Sequence, residues 1–509
     1  MKFFLRREQR TDLSDIFHGS SKKFKFPKRC ANKARLFCCF KEKTMNMNPK
    51  DKIKIPAQIM PTLDPGFRRR TFDEVPVGYG EDSAILEAWR CLGCKNAPCV
   101  KGCPVNIDIP KVMQLTAERR FVEALQVIRR ENSLPAVCGR VCPQESQCQK
   151  NCTMGKVNSP VSIGNIERFL ADNFSNELPQ PKIDSFSGKK IAIAGSGPGG
   201  LACAYQSALY GHKVTVFEAL HEPGGVLAYG IPAFRLPRKI VAEEIKILKK
   251  YGVEFRMNTI IGKTISVEDI LNEFDALYIG TGAGVPSFPG IPGEDLPGVY
   301  SANEYLTRAN LMHAGKLWSK TPISVGKTTV VIGGGNVAMD AARVALRLGS
   351  ERVIIAYRRL EADMPVRREE LLHAREEGIE TMFLISPIEI TEGYSGRVSS
   401  IIFRKMRAED DPEGGRSRIF ETEETFEMEC EVVIFATGTS PNPTLTSNCK
   451  GLELNKKGCI VVTPETCATS IPRVYAGGDA VSGASTVILA MSNGKTAANA
   501  INEMLNKKN

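Results

Sequence analysis

Eight of the 16 cysteines lie between Cys91 and Cys152, in two groups. The first reads Cys91-x2-Cys94-x4-Cys99-x3-Cys103-Pro104, the second Cys138-x3-Cys142-Pro143-x4-Cys148-x3-Cys152. Thiolates so crowded in a 509-residue chain with no continuous apolar leader point to bound metal rather than to a disulfide framework.

The Cys-Pro endings and short spacings resemble the bacterial ferredoxin run, in which the fourth Cys ligates the other cluster. Thiolates at such spacing can hold two [4Fe–4S] clusters if the two groups interleave, one contributing a ligand to the other's cluster. Zinc is the alternative, and would make the chain a non-catalytic metal-binding interaction module. Structural zinc sites, however, pair two short Cys-x2–4-Cys knuckles, which a four-Cys run ending in Cys-Pro suits less well.

A second kind of chemistry sits further on. Lys190 to Ala194 reads as a buried strand, followed by the turn Gly195-x-Gly197-x-x-Gly200 and a helix to Leu209. Gly195 permits the tight turn, Gly197 lets backbone approach a pyrophosphate, and Gly200 lets helix and strand pack closely. The new helix points free N–H groups at the phosphates. The next strand, Lys213 to Phe217, delivers Glu218, a carboxylate placed for a ribose hydroxyl. The glycine-rich stretch around Gly225 could pass close to a flat ring system.

The motif recurs as Thr328 to Ile332, then Gly333-x-Gly335-x-x-Ala338. Here the following strand, Arg352 to Tyr357, ends in Arg358-Arg359 instead of an acid. Guanidinium groups form bidentate, charge-assisted bonds to phosphate, so this site should prefer NADPH to NADH. Arg367 and Arg368 either assist or form a solvated helix face. Near the end, Gly477-Gly478-Asp479 offers a strand-end carboxylate for a ribityl hydroxyl, and a helix beginning near Thr486 could stabilise negative charge on a reduced flavin.

The elements that must position these residues follow in order. Residues 1–50 carry 14 Lys/Arg against 4 Asp/Glu, a net +10, while the remaining 459 residues net about +1. The body is electrically balanced, which removes the case for nucleic-acid binding. No run of 18 apolar residues occurs, so no membrane-spanning helix is expected. The basic N-terminal stretch lacks a secretory h-region. It reads as a disordered extension or an over-called start at Met45 or Met47, with an organelle transit peptide as the less favoured alternative to a cytoplasmic protein. Cys30, Cys38 and Cys39 have no role there. The basic knot Arg68-Arg69-Arg70 reads as solvated surface. Asp108 and Pro110 should open one long amphipathic helix through Val112, Phe121, Leu125 and Ile128. Residues 398–436 read as a β-meander with an acidic turn at Glu409 to Gly415, ending in a buried strand, Ile434 to Gly438, that returns the chain to the first dinucleotide unit.

With these motifs in this order, residues 65–505 resemble the small (β) subunit of NADPH-dependent glutamate synthase. Near relatives are the large subunit of the NADH-dependent ferredoxin:NADP transhydrogenase (sulfide dehydrogenase) and the N-terminal half of dihydropyrimidine dehydrogenase. The resemblance implies an α/β architecture: a helical two-[4Fe–4S] domain, then two Rossmann-like domains. The boundaries expected are an extension at 1–50, an iron–sulfur domain at 51–178, an FAD domain at 186–297 and 437–509, and an NADPH domain at 298–436. It also implies a ligand pattern: Cys91, Cys94, Cys99 and Cys152 for one cluster, and Cys103, Cys142, Cys148 and Glu167 for the other. Cys138 matches a non-ligand position and Arg235 a flavin-contacting arginine.

The activity implied is hydride transfer from C4 of NADPH to N5 of FAD, followed by one-electron steps through the clusters. Electrons would pass to a glutamate synthase large subunit, making L-glutamate from glutamine and 2-oxoglutarate in a hetero-oligomer. The alternative partner is the ferredoxin- and flavin-dependent subunit of the transhydrogenase. No glutamine-hydrolysing or FMN-barrel domain fits between the assigned pieces.

Overall fold

The computed structural model describes residues 48–179, 181, 183, 185–410 and 416–507. The N-terminal extension with its three cysteines and candidate start sites, and the centre of the acidic turn, lie outside these residues. Of the N-terminal unit, ending at Lys54, only the last residues are described. They form one helical turn, Pro49–Lys52, capped by the Asn48 side chain, which accepts from the Asp51 N–H at 3.1 Å.

From Ile55 onward the chain forms a second unit. It begins with helices α1 (Glu81–Trp89), α2 (Ile109–Ala117), α3 (Phe121–Glu131), α4 (Pro135–Val141) and α5 (Ile163–Phe174). The single long helix expected after Asp108 is two. Asp108 caps α2 as anticipated, but Arg119 takes φ 61°, a left-handed conformation that ends the helix before Phe121 starts α3. The break lets Phe121 stack on Phe174 at 4.8 Å and meet Phe169 edge-on at 5.5 Å, closing α3 onto α5. Helices α4 and α5 cross at Gly139, where a Cβ would lie 2.7 Å from the Arg168 backbone nitrogen.

Two five-stranded parallel sheets follow, alike in the order of four strands; the fifth, outer strand comes last along the chain in the first sheet and first in the second. The first runs Val474–Ala476, Ala276–Ile279, Lys190–Ala194, Lys213–Phe217, Glu254–Arg256. The second runs Val299–Ser301, Val432–Phe435, Thr328–Ile332, Arg352–Tyr357, Glu380–Phe383. The central strands are buried on both faces, as parallel sheets covered by helices require. Helix α6 (Pro198–Leu209) springs from the first sheet, α7 (Asn336–Leu348) from the second, and α8 (Val487–Asn506) packs on α6. That packing is backbone on backbone: a Cβ at Gly494 would sit 2.1 Å from the Gly199 carbonyl oxygen.

The buried strand Val432–Phe435 completes the second sheet, pairing in parallel with Thr329–Ile332, before the chain crosses back to the first sheet. The crossing comes just after, in an antiparallel ribbon of Val285–Pro286 with Thr439–Ser440. The meander Ile385–Glu392, Val398–Glu409, Arg418–Glu429 packs Ile390, Ile401 and Phe403 against the second sheet.

The three regions are joined by buried charge. Arg68, expected on the surface, is completely buried. Its guanidinium donates to Glu377 at 3.0 Å, Glu376 at 2.6 Å and the His373 carbonyl at 3.3 Å. Glu377 also accepts from Arg343 at 2.7 Å and Arg347 at 2.7 Å. Arg343 continues to Glu370 at 2.5 Å, which pairs with Arg235 of the first dinucleotide unit at 3.2 Å. Arg343 and Arg347 lie 4.4 and 4.1 Å from the Phe234 ring centroid. Burial alone would raise these carboxyls. The surrounding arginines outweigh it and hold Glu370 and Glu377 at about 2.

Removing one partner of a buried pair strands the other, at a cost of about 3–5 kcal/mol. Glu377→Gln should therefore lower the unfolding free energy by that amount, read as a lower midpoint in urea titrations at neutral pH. Because both folded-state pKa values lie below the unfolded value, the network's contribution is complete above the ordinary glutamate range. It should fade as pH falls towards about 2.

Candidate active site

A cavity of about 1260 Å³ opens at the carboxyl ends of the first sheet's strands. Gly195, Gly197, Glu218, Gly225, Arg235, Gly478, Asp479 and Thr486 all line it. Gly200 sits beneath, where a Cβ would be 2.0 Å from the Gly195 carbonyl oxygen. Gly195 itself has φ 97° and abuts the Gly280 carbonyl. Gly197 differs: its φ of −66° suits any residue, and a Cβ there would meet nothing within 4 Å. The room in front of Gly197 is thus left by the protein, as a pyrophosphate seated on the N-terminus of α6 requires. Gly225, at φ 54°, closes over this turn, with a Cβ position only 2.8 Å from the Gly197 Cα.

Glu218 is buried and already engaged. One carboxylate oxygen accepts from the Ser196 N–H at 2.9 Å and the Ser196 hydroxyl at 2.5 Å; the other accepts from the Leu220 N–H at 2.9 Å. It braces the fingerprint turn, with lone pairs left for a ribose. Asp479 is lifted to about 6 by burial, partly offset by the Ser485 backbone. Thr486 caps α8, accepting from the Leu489 N–H at 3.4 Å, so the free N–H groups of that helix face the cavity.

Residues of the second dinucleotide fold line the same cavity, among them Val337 at the start of α7 and Asp340 one turn on. Asp340 accepts from Arg235 at 2.6 Å through one carboxylate oxygen, while the other, fully buried, has no hydrogen-bond partner. Burial raises its carboxyl to about 7 against the pull of Arg235. Asp340 escaped the sequence reading. Its one signal was an acid among the small apolar residues at the start of a fingerprint helix.

Gly333, with φ 144°, abuts the Ala436 carbonyl, and Ala338 is wholly buried. Gly335, like Gly197, faces open space. A Cβ at Gly334 would be 2.5 Å from the Tyr357 ring, so the fingerprint turn lies directly on the end of its strand. Arg358, next in the chain, is exposed. Arg359 donates to the Ser417 carbonyl at 2.7 Å. Arg367 is neither a solvated residue nor a free cation: buried, it donates to the Arg140 carbonyl at 2.6 Å and to Glu369 at 2.8 Å. Arg368 is exposed.

The cysteines fall into two sets. Burial pushes the Cys99 thiol up to about 12, and Cys91, Cys152 and Cys94 add to the shift. Cys103 and Cys148 are likewise raised by burial, with Cys142 and Glu167 contributing to both. Cys103, Cys142, Cys148 and Glu167 line one small pocket together with Ile488 of α8. Burial lifts Glu167 to about 8, while the Asn132 amide, donating at 2.6 Å, pulls the other way. Cys138 is hydrogen-bonded to Cys142, and that contact is the foremost cause raising the Cys142 thiol. Among the described residues, no three His, Cys, Asp or Glu side chains converge on a single metal-ion position. A cuboidal cluster makes another demand, since its ligands bind separate irons. Val141 and Pro143, flanking Cys142, line the large cavity, which therefore borders the second cysteine set.

Two dinucleotide folds sharing a cavity behind a helical cysteine domain define a pyridine-nucleotide oxidoreductase with a 4Fe–4S domain. Residues 68–178 match the family described as dihydropyrimidine dehydrogenase domain II, 4Fe-4S cluster, and residues 189–503 the pyridine nucleotide-disulphide oxidoreductases. The chain is 36% identical to the glutamate synthase [NADPH] small chain of Escherichia coli K12, over 86% of this chain and 94% of that protein. It is 37% identical to the NADP(+)-dependent formate dehydrogenase subunit beta of Moorella thermoacetica, over 80% of this chain and 60% of that one. In fold it resembles Mycobacterium tuberculosis FprA in complex with NADPH, at 21% identity and a TM-score of 0.52, over 62% of this chain and 84% of that one. The chain belongs to the family of the glutamate synthase [NADPH] small chain. No helix among the described residues is long and apolar enough to cross a membrane.

Gly197→Val tests the reading of the open turn. The variant should fold as the wild type does by circular dichroism, yet purify without flavin absorbance, because its side chain enters only the space a pyrophosphate would take.

Proposed function

We propose that this chain oxidises NADPH and delivers the electrons, through FAD and two [4Fe–4S] clusters, to the large subunit of a glutamate synthase. The observation that carries the reading is the shared cavity. The N-termini of α6 and α8 from one dinucleotide unit, and of α7 from the other, open into one space that also borders the residues around Cys142. Bound there, FAD would supply two-electron chemistry with a nicotinamide and one-electron chemistry with iron–sulfur centres, neither of which a side chain provides.

The chain's own residues bind and position. The backbone at Gly195 to Gly200, and the α6 N-terminus, hold the FAD pyrophosphate; Glu218 and Asp479 hold ribose and ribityl hydroxyls. Thr486 and the first turn of α8 place helix-dipole charge beside the isoalloxazine. Arg235, fixed by Asp340 and Glu370, lines the cavity that the flavin would occupy. Gly333, Gly335 and Ala338 seat the NADPH pyrophosphate, and Arg358 and Arg359 select its 2′-phosphate. Cys91, Cys94, Cys99 and Cys152 hold one cluster; Cys103, Cys142, Cys148 and Glu167 hold the other. Burial and the carboxylate ligand tune their potentials. The domain limits in this reading are 51–178 for the iron–sulfur domain, 186–297 with 437–509 for the FAD domain, and 298–436 for the NADPH domain.

Relatives in the family carry different names for the whole enzyme, a glutamate synthase in one case and a formate dehydrogenase in another. The partner is therefore the point to test. Anaerobic affinity purification should bring down a large FMN-containing, glutamine-hydrolysing chain; a smaller flavin and [2Fe–2S] chain in its place would reject the glutamate synthase role. Cys99→Ala should lose one cluster's iron while retaining FAD, and unchanged iron and acid-labile sulfide would remove Cys99 from the ligand set.

A further inference from the structure

The antiparallel meander has no part in either nucleotide fold, yet its third strand begins beside the end of the strand that carries Arg358 and Arg359. The two segments are tied in two ways. The Arg359 guanidinium donates to the Ser417 carbonyl at 2.7 Å. The Arg359 carbonyl in turn accepts from the Leu384 N–H at 3.4 Å, where the meander departs.

This places Arg416, immediately before Ser417, on the same edge of the second sheet as Arg358. Both side chains are exposed, and neither makes a hydrogen bond or ion pair with any described residue. Their charges converge on Tyr357. Burial raises the Tyr357 hydroxyl, and Arg416, Arg359 and Arg358 oppose it in that order, while Asp363 adds to the rise. The Tyr357 ring lies against the fingerprint glycine Gly334. Thus Arg416 and Arg358 flank the end of the strand at which the adenosine ribose of a nucleotide on this turn would lie.

The pair Arg358-Arg359 consequently divides its labour. A guanidinium already committed to a backbone carbonyl has fewer N–H groups left for a phosphate, whereas Arg358 and Arg416 keep all of theirs. We infer that the nucleotide 2′-phosphate is held by Arg358 together with Arg416 of the meander, and that Arg359 is a positioning residue that fixes the meander strand so Arg416 can reach. The inference rests on the NADPH reading above and adds a specificity residue from an element outside the nucleotide fold.

The test is calorimetric titration of the holoprotein with 2′,5′-ADP and with 5′-ADP, which lacks the 2′-phosphate. Arg358→Ala and Arg416→Ala should each weaken 2′,5′-ADP binding roughly tenfold or more, the equivalent of one charge-assisted hydrogen-bonding group, and leave 5′-ADP binding unchanged. R416K, which keeps the charge, should recover part of the loss. Arg359→Ala should weaken 2′,5′-ADP too, but the R359A/R416A double variant should be no weaker than R416A, since both changes remove one contact. Additive losses would make Arg359 a direct ligand and overturn its positioning role. An unaltered R416A beside a weakened R358A would overturn the inference while leaving the NADPH reading in place. A wild type that binds the two nucleotides equally would reject the NADPH reading itself.

Discussion

The arrangement depends on a knot of charge taken out of water. Glu377 accepts from three arginines, Arg68, Arg343 and Arg347, and these come from two separated stretches of chain. Through Arg343 and Glu370 the knot reaches Arg235. Buried ion pairs contribute little net stability compared with a well-packed apolar replacement, because desolvation offsets most of the attraction. Their effect is on geometry. Apolar faces slide with small loss, whereas a guanidinium that must meet particular carboxylate oxygens tolerates only one seating. Three regions that could pack in many ways are thereby held in one.

That seating matters because the site is assembled from all three. The cavity takes its floor from the glycine turn of one dinucleotide unit, one wall from α7 of the other, and an edge from the residues flanking Cys142. Electron transfer between cofactors needs no catalytic acid or base, so the protein's contribution lies in distance, orientation and exclusion of water. Arg235 serves both needs: its guanidinium is at once part of the charge knot and part of the cavity wall. Misplacing Glu370 would therefore disturb the site without touching any ligand.

Much of this was legible in the chain because the features are local. Gly195 and Gly333 announce turns that need positive φ, and the alternation of buried strand and fingerprint helix identifies both sheets. The cysteine spacing marks the helical domain. What stayed hidden is non-local. Arg68 reads as surface because its partner Glu377 is 309 residues away. Arg367 reads as solvated because nothing in its neighbourhood reveals that the Arg140 carbonyl will cover it. The division of α2 from α3 is likewise imposed from outside, by the fit of Phe121 between Phe169 and Phe174. Asp340 was passed over for the reason that makes it informative: the one acid of its helix has no meaning until Arg235 is placed against it.

The ribbon of Val285–Pro286 and Thr439–Ser440 also bears on the order in which the chain can fold. Its two strands bring the ends of a long insertion side by side, so the inserted sheet can form as an independent unit without straining its host. The host cannot finish so early. Its outermost strand, Val474–Ala476, and the helix whose Gly494 nests on Gly199 follow the inserted sheet in the chain. During synthesis the second dinucleotide unit, though later in the chain than the start of the first, is therefore complete before it. The first waits with an open sheet edge at Ala276–Ile279, in the interval when a growing chain is most exposed to aggregation and to capture by chaperones.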